Sequence, residues 1–322
     1  MMKRSLFSFA VAALCVGTTW AAPINKKDLA AEPALLVHVD VDALRSTAVG
    51  KTILADPDVQ TKLAAVQAMF NFDFRSQLHG FSIYSAMEHS QDPVLILYAD
   101  FEASRLITLA KAFPGFHQDT NDAHVIYTWL DEKKKNTDTP RIYASIAGSR
   151  LVFGKTEEAL TSALNVIDGK GAGFNGGKLL LNSESGELVV AQGAVLKFDM
   201  DENNPSAAIF KASKAIRFKL GEVGDNVAAT VSFEAKDADS AQQVSAMVNG
   251  LLAVVKFQKL DPAILKLANG INVRQDGATV ILNLAAPSAD IVALLKKGAA
   301  EHERKEQEQA PADTNAPAAK SP

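Results

Sequence analysis

The sequence predicts an α+β fold built from two divergent repeats, each a mainly antiparallel sheet with helices packed on one face. Three observations predict it. Several segments alternate apolar and polar residues, as half-buried strands do, and are separated by glycine-containing turns. Segments with apolar residues at helical spacing lie between these strands. Stretches of the first half of the chain also have counterparts in the second half.

The composition is typical of a soluble globular protein. Of the 322 residues, 48% are hydrophobic and 22% are charged, and the formal net charge is −4. Because the chain is acidic overall, we expect no nucleic-acid partner. The single cysteine, Cys15, cannot form an internal disulfide, a zinc site made of cysteines or an iron–sulfur site. No cofactor is predicted.

Residues 1–21 are predicted to be a signal peptide. A basic start at residues 1–4 precedes an apolar run at 5–17 that is too short to span a bilayer. Thr19 and Ala21 are the small residues of a cleavage site, so we expect cleavage after Ala21, with Ala22 as the next choice. The mature chain would then lack cysteine and any transmembrane segment, and it would be periplasmic or secreted.

The first repeat is predicted over residues 24–168 and begins with a strand at 35–42. Asp42 is expected to cap the helix that follows this strand. Pro57 suits the first position of a further helix, which we place at 58–70. That helix has four apolar residues on one face, at Val59, Leu63, Val66 and Phe70.

The second repeat is predicted over residues 184–300, after a glycine-rich linker at 169–183. Three pairs of segments share their pattern, namely 35–42 with 194–201, 95–103 with 231–239, and 141–167 with 270–296. The last pair aligns Gly148 with Gly277, where each hairpin must turn. Residues 301–322 are polar and rich in proline and alanine, so we expect a disordered tail or a helix extension that frays into one.

One segment of the first repeat resembles a known kind of protein. Residues 72–84, FDFRSQLHGFSIY, resemble a recurring segment of uncharacterised secreted bacterial proteins of the domain-of-unknown-function type. The predicted hairpin and helix at 141–168 are similar to theirs too. These motifs are structural rather than catalytic. The resemblance therefore implies two divergent α+β repeats and export, and it implies no activity.

A histidine and two carboxylates alternate along the first predicted strand. His38, Asp40 and Asp42 share one side of that strand, and such a set could bind zinc or manganese. Their counterparts in the second repeat are Lys197, Asp199 and Asp201. Because the histidine is replaced by lysine while the aspartates persist, the aspartates are better explained as turn and capping residues. No metal site is predicted, and these three are only weak candidates for one.

No local catalytic motif is present. The sequence contains no Gly-x-Ser-x-Gly and no His-Glu-x-x-His segment, and its one cysteine lies in the predicted leader. A serine–histidine–aspartate site assembled from distant residues would leave no local pattern. A hydrolase with such a site therefore stays an alternative.

The aromatic residues are distributed unequally between the predicted repeats. All four tyrosines and the one tryptophan outside the leader fall in the first repeat. Alternation predicts that they share one face of the sheet with two charged residues, opposite an apolar set that includes Phe81, Ile83 and Leu95. Tyrosine, tryptophan and arginine are frequent in recognition surfaces. The predicted binding surface consists of Tyr84, Tyr98, Asp100, Tyr127, Trp129, Arg141 and Tyr143. The alternative is ordinary cross-strand aromatic pairing, or packing of one repeat on the other.

The sequence thus predicts an exported, non-enzymatic protein. We expect an interaction or binding role in the cell envelope, through the aromatic sheet face of the first repeat, with an unknown protein or small ligand as its partner. The alternatives are a carrier of an apolar ligand, whose amphipathic helices would enclose a cavity over the sheet, and the hydrolase described above.

Overall fold

The computed structural model describes residues 24–86, 92–131, 141–174, 187–194 and 205–309. Twelve described strands form one continuous sheet in which all neighbouring strands run antiparallel. Helices pack around this sheet, so the predicted α+β class is confirmed. The predicted leader, residues 1–21, lies outside the described residues.

The strands are β1 (Pro33–Asp40), β2 (Leu78–Ala86), β3 (Val94–Ala99), β4 (His117–Asn121), β5 (His124–Leu130), β6 (Arg141–Ala147), β7 (Arg150–Gly154), β8 (Glu187–Ala194), β9 (Ser213–Val223), β10 (Asn226–Ala235), β11 (Asn272–Asp276) and β12 (Thr279–Pro287). The helices are α1 (Val41–Ser46), α2 (Ala48–Ala55), α3 (Pro57–Phe70), α4 (Ala103–Ala110), α5 (Glu157–Ile167), α6 (Pro205–Ala212), α7 (Ala238–Phe257), α8 (Pro262–Gly270) and α9 (Ser288–Gln309). A 3₁₀ turn at Lys26–Asp28 precedes β1.

Two halves of the sheet meet where β1 pairs with β8. The strand order across the sheet is β11-β12-β10-β9-β8-β1-β2-β3-β7-β6-β5-β4. Counted outward from this seam, each half begins with the same order of connections: β1, β2, β3, β7, β6 in one and β8, β9, β10, β12, β11 in the other. Gly148 and Gly277 turn the corresponding hairpins, with φ of +63° and +56°. A duplication of one ancestral unit would produce this recurrence.

The two halves bury opposite faces of the sheet. In the first half, Ile96 and Val152 pack against Leu160 and Leu164 of α5, and we call this side the α5 face. In the second half, Phe233 and the residues around it pack against α7 from the other side, which we call the α7 face. The strand registers carry each face continuously across the seam. As described below, α4 also lies over the α7 face, so helices occupy both faces in the first half rather than one.

Helix starts follow capping chemistry, with one difference from the sequence-based expectation. Asp40, not Asp42, caps α1, because its carboxylate accepts a hydrogen bond from the backbone N–H of Ala43 at 2.8 Å. Asp42 instead lies in the first turn of α1. The helix predicted at 58–70 is present as α3, with Pro57 in its first turn and Asp56 as its cap.

One predicted boundary differs from the structure. The strand of the second half that pairs with β1 at the seam is β8, which ends at residue 194, whereas the predicted counterpart of the first strand begins there; residues 195–204 lie outside the described residues. Helix α9 continues to residue 309, so residues 301–309 adopt the helix extension that was one of the two expectations for the tail. This extension is rich in Glu, Lys, Arg and Gln, which favour helix even where no apolar face needs burial. Residues 310–322 of that predicted tail lie outside the described residues.

Candidate functional site

The aromatic residues predicted to form one surface are divided between the two faces of the sheet. Tyr84, Tyr98 and Tyr143 lie on the α5 face. Tyr127 and Trp129 lie on the α7 face, because the register of β5 and β6 pairs them with apolar residues of that face, Ala144 and Ile142. The prediction that the seven residues share one face is therefore wrong for these two. Alternation fixes faces within a strand, but the register between strands decides how they combine.

The tyrosines of the α5 face contact the hydrophobic core, and one of them is fully buried. Tyr84 is 2% exposed, and Tyr98 and Tyr143 pack against the same core. Burial, together with the nearby Asp28 carboxylate, raises the pKa of Tyr84 and Tyr98 above the ordinary tyrosine value. In the folded state Tyr84 thus offers no accessible area to a partner.

A buried ion pair fixes the N-terminal segment over these tyrosines. The Asp28 side chain is 1% exposed, and the guanidinium Nε of Arg150 donates to its Oδ2 at 2.7 Å. The side-chain amide of Asn25 donates to the same oxygen at 2.9 Å. The segment also forms a bridge between Ala30 and Gly173, within the predicted linker. Helix α5 therefore covers one part of the α5 face, and residues 24–31 cover another part.

The two charged residues of the predicted surface have separate roles. Arg141 donates from Nη2 to the carbonyl of Gly115 at 2.8 Å and to the Thr128 hydroxyl at 3.0 Å. Asp100 is exposed, and its carboxylate lies 3.1 Å from Nε2 of His79. Arg141 is thus engaged by β5 and the turn before β4, and Asp100 by His79.

The three weak metal candidates do not converge. His38 is buried, with its Nδ1 2.9 Å from the Ser82 hydroxyl. Asp40 caps α1, and Asp42 pairs with Arg45 and with Nδ1 of His79. No group of three or more potential metal ligands is assembled within the part of the chain that the structure describes.

His38 and Ser82 are a hydrogen-bonded histidine–serine pair, which is one element of a hydrolase site. Both side chains are enclosed in the core on the α5 face. A substrate has no route to the Ser82 hydroxyl, so this pair gives no support to the hydrolase alternative.

A cavity of about 290 Å³ lies on the α7 face of the first half, between α4 and strands β5 to β7. Its size is at the lower end of the range of small-molecule pockets. The lining is almost wholly apolar: Phe70, Leu106, Ile107, Leu109, Ala110, Phe113, Tyr127, Trp129, Ala144, Ser145, Ile146, Leu151 and Phe153. This composition suits an apolar ligand and provides no charged group for catalysis.

Helix α4 forms the roof of this cavity without packing tightly on the sheet. Its apolar residues Leu106 and Ile107 point to the cavity, and Arg105 and Thr108 are exposed. No residue of α4 is fully buried, whereas α5 on the other face buries five. The apolar side of an amphipathic helix normally packs directly against an apolar sheet face. Here the two surfaces stay apart and leave the cavity between them.

Two stacked aromatic pairs include three residues of the cavity lining, namely Phe113, Tyr127 and Trp129. Phe113 stacks on Trp129 with 5.6 Å between ring centroids, and Phe116 stacks on Tyr127 at 6.4 Å. Burial raises the pKa of the Tyr127 phenol. Two of the seven predicted binding residues, Tyr127 and Trp129, thus line this apolar cavity.

The turn that carries Phe113 and Phe116 is held against the sheet by the backbone. The N–H of Leu130 donates to the Pro114 carbonyl at 2.9 Å, next to the bond from Arg141 to Gly115. Gly115 has a φ of +65°, and a Cβ at this position would lie 2.7 Å from Cγ of Leu130. Glycine therefore permits the close approach that positions both phenylalanine rings.

A sequence signal for the cavity lies in the segment of α4 and in the strands beside it. The helical segment after residue 103 is amphipathic, and the strands near it present a continuous apolar face. The pattern does not show that a cavity separates α4 from the sheet. Two other clefts described by the structure, of about 720 and 830 Å³, are lined by charged residues such as Glu157 and Lys62 and are less suited to an apolar ligand.

Comparison with known proteins gives a distant structural likeness. No protein-family model matches the chain, and no curated protein matches it either. The structure titled "Structure of crystal form III of TP0453" is similar with a TM-score of 0.47 and 9% identity, covering 86% of this chain and 99% of that chain. Crystal form IV of TP0453 gives a TM-score of 0.44 and 8% identity, covering 85% and 96%. At these scores the likeness says nothing about ligand or activity.

Among the described helices, none combines the length and the apolar character that crossing a bilayer requires.

Proposed function

We propose that this chain is an exported binding protein of the cell envelope that holds an apolar chain, such as the acyl tail of a fatty acid or lipid, in the cavity under α4. The predicted signal peptide at residues 1–21 supports export to the periplasm or beyond. The observation that carries the ligand class is the lining of the cavity, in which apolar side chains of α4 face apolar side chains of the sheet across an unfilled space.

Two features support binding rather than catalysis. The cavity lining contains no acid, base or thiol, and its polar members are a serine and a tyrosine. Helix α4 has no fully buried residue, so it can shift to admit a ligand at little cost in core packing. Closure of α4 over an acyl chain would bury apolar area on both the helix and the ligand.

The proposal predicts a dependence on chain length. Each methylene that leaves water contributes up to about 0.8 kcal/mol, so affinity should rise by about fourfold or less per added methylene. The rise should stop when the chain exceeds the room under α4. A ligand recognised by its polar head alone would show no such trend.

Trp129 provides a direct measurement, because it is the only tryptophan after residue 21. We expect a saturable change in its fluorescence when dodecanoate is added to delipidated mature protein. Leu106→Asp places a charge in the lining and should abolish this change. Thr108→Asp, on the exposed side of α4, is the matched control and should bind as the wild type does.

Mass spectrometry of solvent extracts from the purified protein is the second measurement. Co-purified acyl chains would support the proposal. A folded wild-type protein with no extracted lipid and no change in Trp129 fluorescence over a series of fatty acids would disprove it.

A further inference from the structure

Three exposed large apolar residues lie where α7 ends and α8 begins. Phe257 is 90% exposed, Val254 is 57% exposed and Ile264 is 43% exposed. Single exposed apolar residues are common, but a group of large ones at the junction of two helices indicates contact with another apolar phase or molecule. We name Val254, Lys256, Phe257, Lys259 and Ile264 the α7–α8 tip.

The core of the second half does not need these side chains. Helix α7 packs on the sheet through Ala241, Val244 and Val248. On its solvent side the earlier turns carry polar or small exposed residues, including Gln243 and Asn249. The solvent side becomes apolar only in the last turn, at Val254 and Phe257. The change of composition is thus local to the end of the helix.

The same end of the helix is positively charged. Lys256 and Lys259 are exposed, and no carboxylate within the described ranges pairs with either. The acid within this stretch, Asp261, is already engaged by an ion pair with Lys297 and by capping α8. The tip is therefore cationic on a chain whose formal net charge is −4.

We infer that the α7–α8 tip docks onto the surface of an anionic lipid bilayer. Phe257 and Val254 would enter the boundary between headgroups and acyl chains, where aromatic and aliphatic side chains are favoured. Lys256 and Lys259 would contact the lipid phosphates. The tip belongs to helices α7 and α8, which pack on the second half of the sheet, whereas the cavity lies on the first half. This inference therefore does not rest on the proposed ligand.

The charges favour a bilayer over a second copy of the chain as the occupant. A symmetric pair of tips would bring four unpaired ammonium groups together, and like charges in an interface are destabilising. Three apolar side chains also cover far less than the roughly 1,200 Å² that stable protein interfaces bury in total. In an anionic bilayer, the lipid phosphates neutralise the two lysines and the acyl chains contact the apolar side chains.

Vesicle co-sedimentation of the full mature chain tests the inference. We expect binding to vesicles of equimolar phosphatidylcholine and phosphatidylglycerol, with much weaker binding to phosphatidylcholine alone. The double variant Val254→Ser/Phe257→Ser should lose at least tenfold in partition coefficient, because it removes the inserted groups. Lys256→Gln/Lys259→Gln should lose about tenfold to thirtyfold on anionic vesicles only.

Controls separate these effects from general loss of charge or apolar surface. Met69→Ser removes another exposed apolar side chain, which lies on α3, and Lys51→Gln/Lys62→Gln removes two exposed lysines of α2 and α3. Both should bind vesicles as the wild type does. Because all substituted residues are exposed, we expect every variant to fold, and circular dichroism checks this. The inference is overturned if the wild type ignores anionic vesicles, if the tip variants bind unchanged, or if Phe257→Ser abolishes a concentration-dependent dimer instead.

Discussion

The ring of Phe113 lies flat against the indole of Trp129, with the two planes 22° from parallel. This contact joins the segment after α4 to strand β5, and both rings line the apolar cavity. Phe113 remains 40% exposed, so its ring separates the indole from water without being part of a closed core. The stack therefore acts as one wall of the proposed ligand site.

Replacing Phe113 by alanine should open this wall. We expect a red shift of Trp129 emission and weaker binding of acyl chains, with a loss in stability of no more than about 1–2 kcal/mol because the ring is only partly buried. Fluorescence and urea unfolding measure the two effects. Phe257→Ala, at an exposed phenylalanine far along the sequence, is the control and should leave the emission unchanged; an unshifted Phe113→Ala spectrum would contradict the stacked geometry.

Replacing Gly115 by alanine should strain the turn that carries the cavity's aromatic rings. The added Cβ meets Leu130 and the backbone has a positive φ, so we expect a loss of about 1–3 kcal/mol and an altered Trp129 spectrum. Gly169→Ala provides a matched control. Gly169 also has a positive φ, of +74°, but no atom lies within 4 Å of its added Cβ. If both variants lose the same stability, the contact with Leu130 is not a constraint.

Replacing Asp28 by asparagine should loosen the N-terminal segment. The change removes the charge that pairs with Arg150 inside the protein, and we expect a loss of about 1–3 kcal/mol, since Arg150 keeps partial access to water. The midpoint of urea unfolding and limited proteolysis near residue 30 measure it. Glu32→Gln, at a nearby exposed position, should change neither. An Asp28→Asn protein as resistant as the wild type would show that the ion pair does not hold the segment.

The stability of the first half should depend on pH through Asp168. His124 and Lys170 hold the pKa of this carboxyl below its ordinary value of 3.8, so the native state favours its charged form. The stabilisation is fully present above pH 3.8 and is lost as pH falls through the lowered native pKa. Asp168→Asn should lower the melting temperature at neutral pH and flatten its fall in acid.

Asp122→Asn is the comparison for this titration, because the Asp122 carboxylate approaches Lys170 only to 3.9 Å and is largely exposed. It should melt like the wild type throughout. An acid limb of equal steepness in the wild type and in Asp168→Asn would exclude Asp168 as the group responsible.

Much of the fold is readable in the sequence, because its determinants are local. Alternation placed Phe81, Ile83 and Leu95 on one face, and the register confirms that they share it. Pro57 marked the start of α3. The sequence predicts Asp42 as the cap of α1, but Asp40 provides it. Both residues precede an apolar run, and the pattern does not fix where the backbone changes from strand to helix.

The candidate site was only partly predictable, because it depends on relations between distant segments. The sequence predicts Tyr127 and Trp129 as binding residues. The sheet face on which they lie depends on the register between β5 and β6, and the alternation within one strand does not encode that register. The burial of Tyr84 depends on the N-terminal segment folding back over β2, through an ion pair between residues 122 positions apart. The cavity results from a gap between packed layers, which no local pattern records.

The pairing of β1 with β8 has a consequence for how the chain acquires its shape. Strand β1, the first of the described strands to leave the ribosome, occupies the middle of the finished sheet, and one of its two neighbours is encoded at residues 187–194. Until those residues arrive, β1 is an open edge with unsatisfied N–H and C=O groups. A nascent or truncated chain that stops before β8 is therefore a template for intermolecular strand addition, so completion of the seam, rather than of either half, ends the period of greatest risk of aggregation.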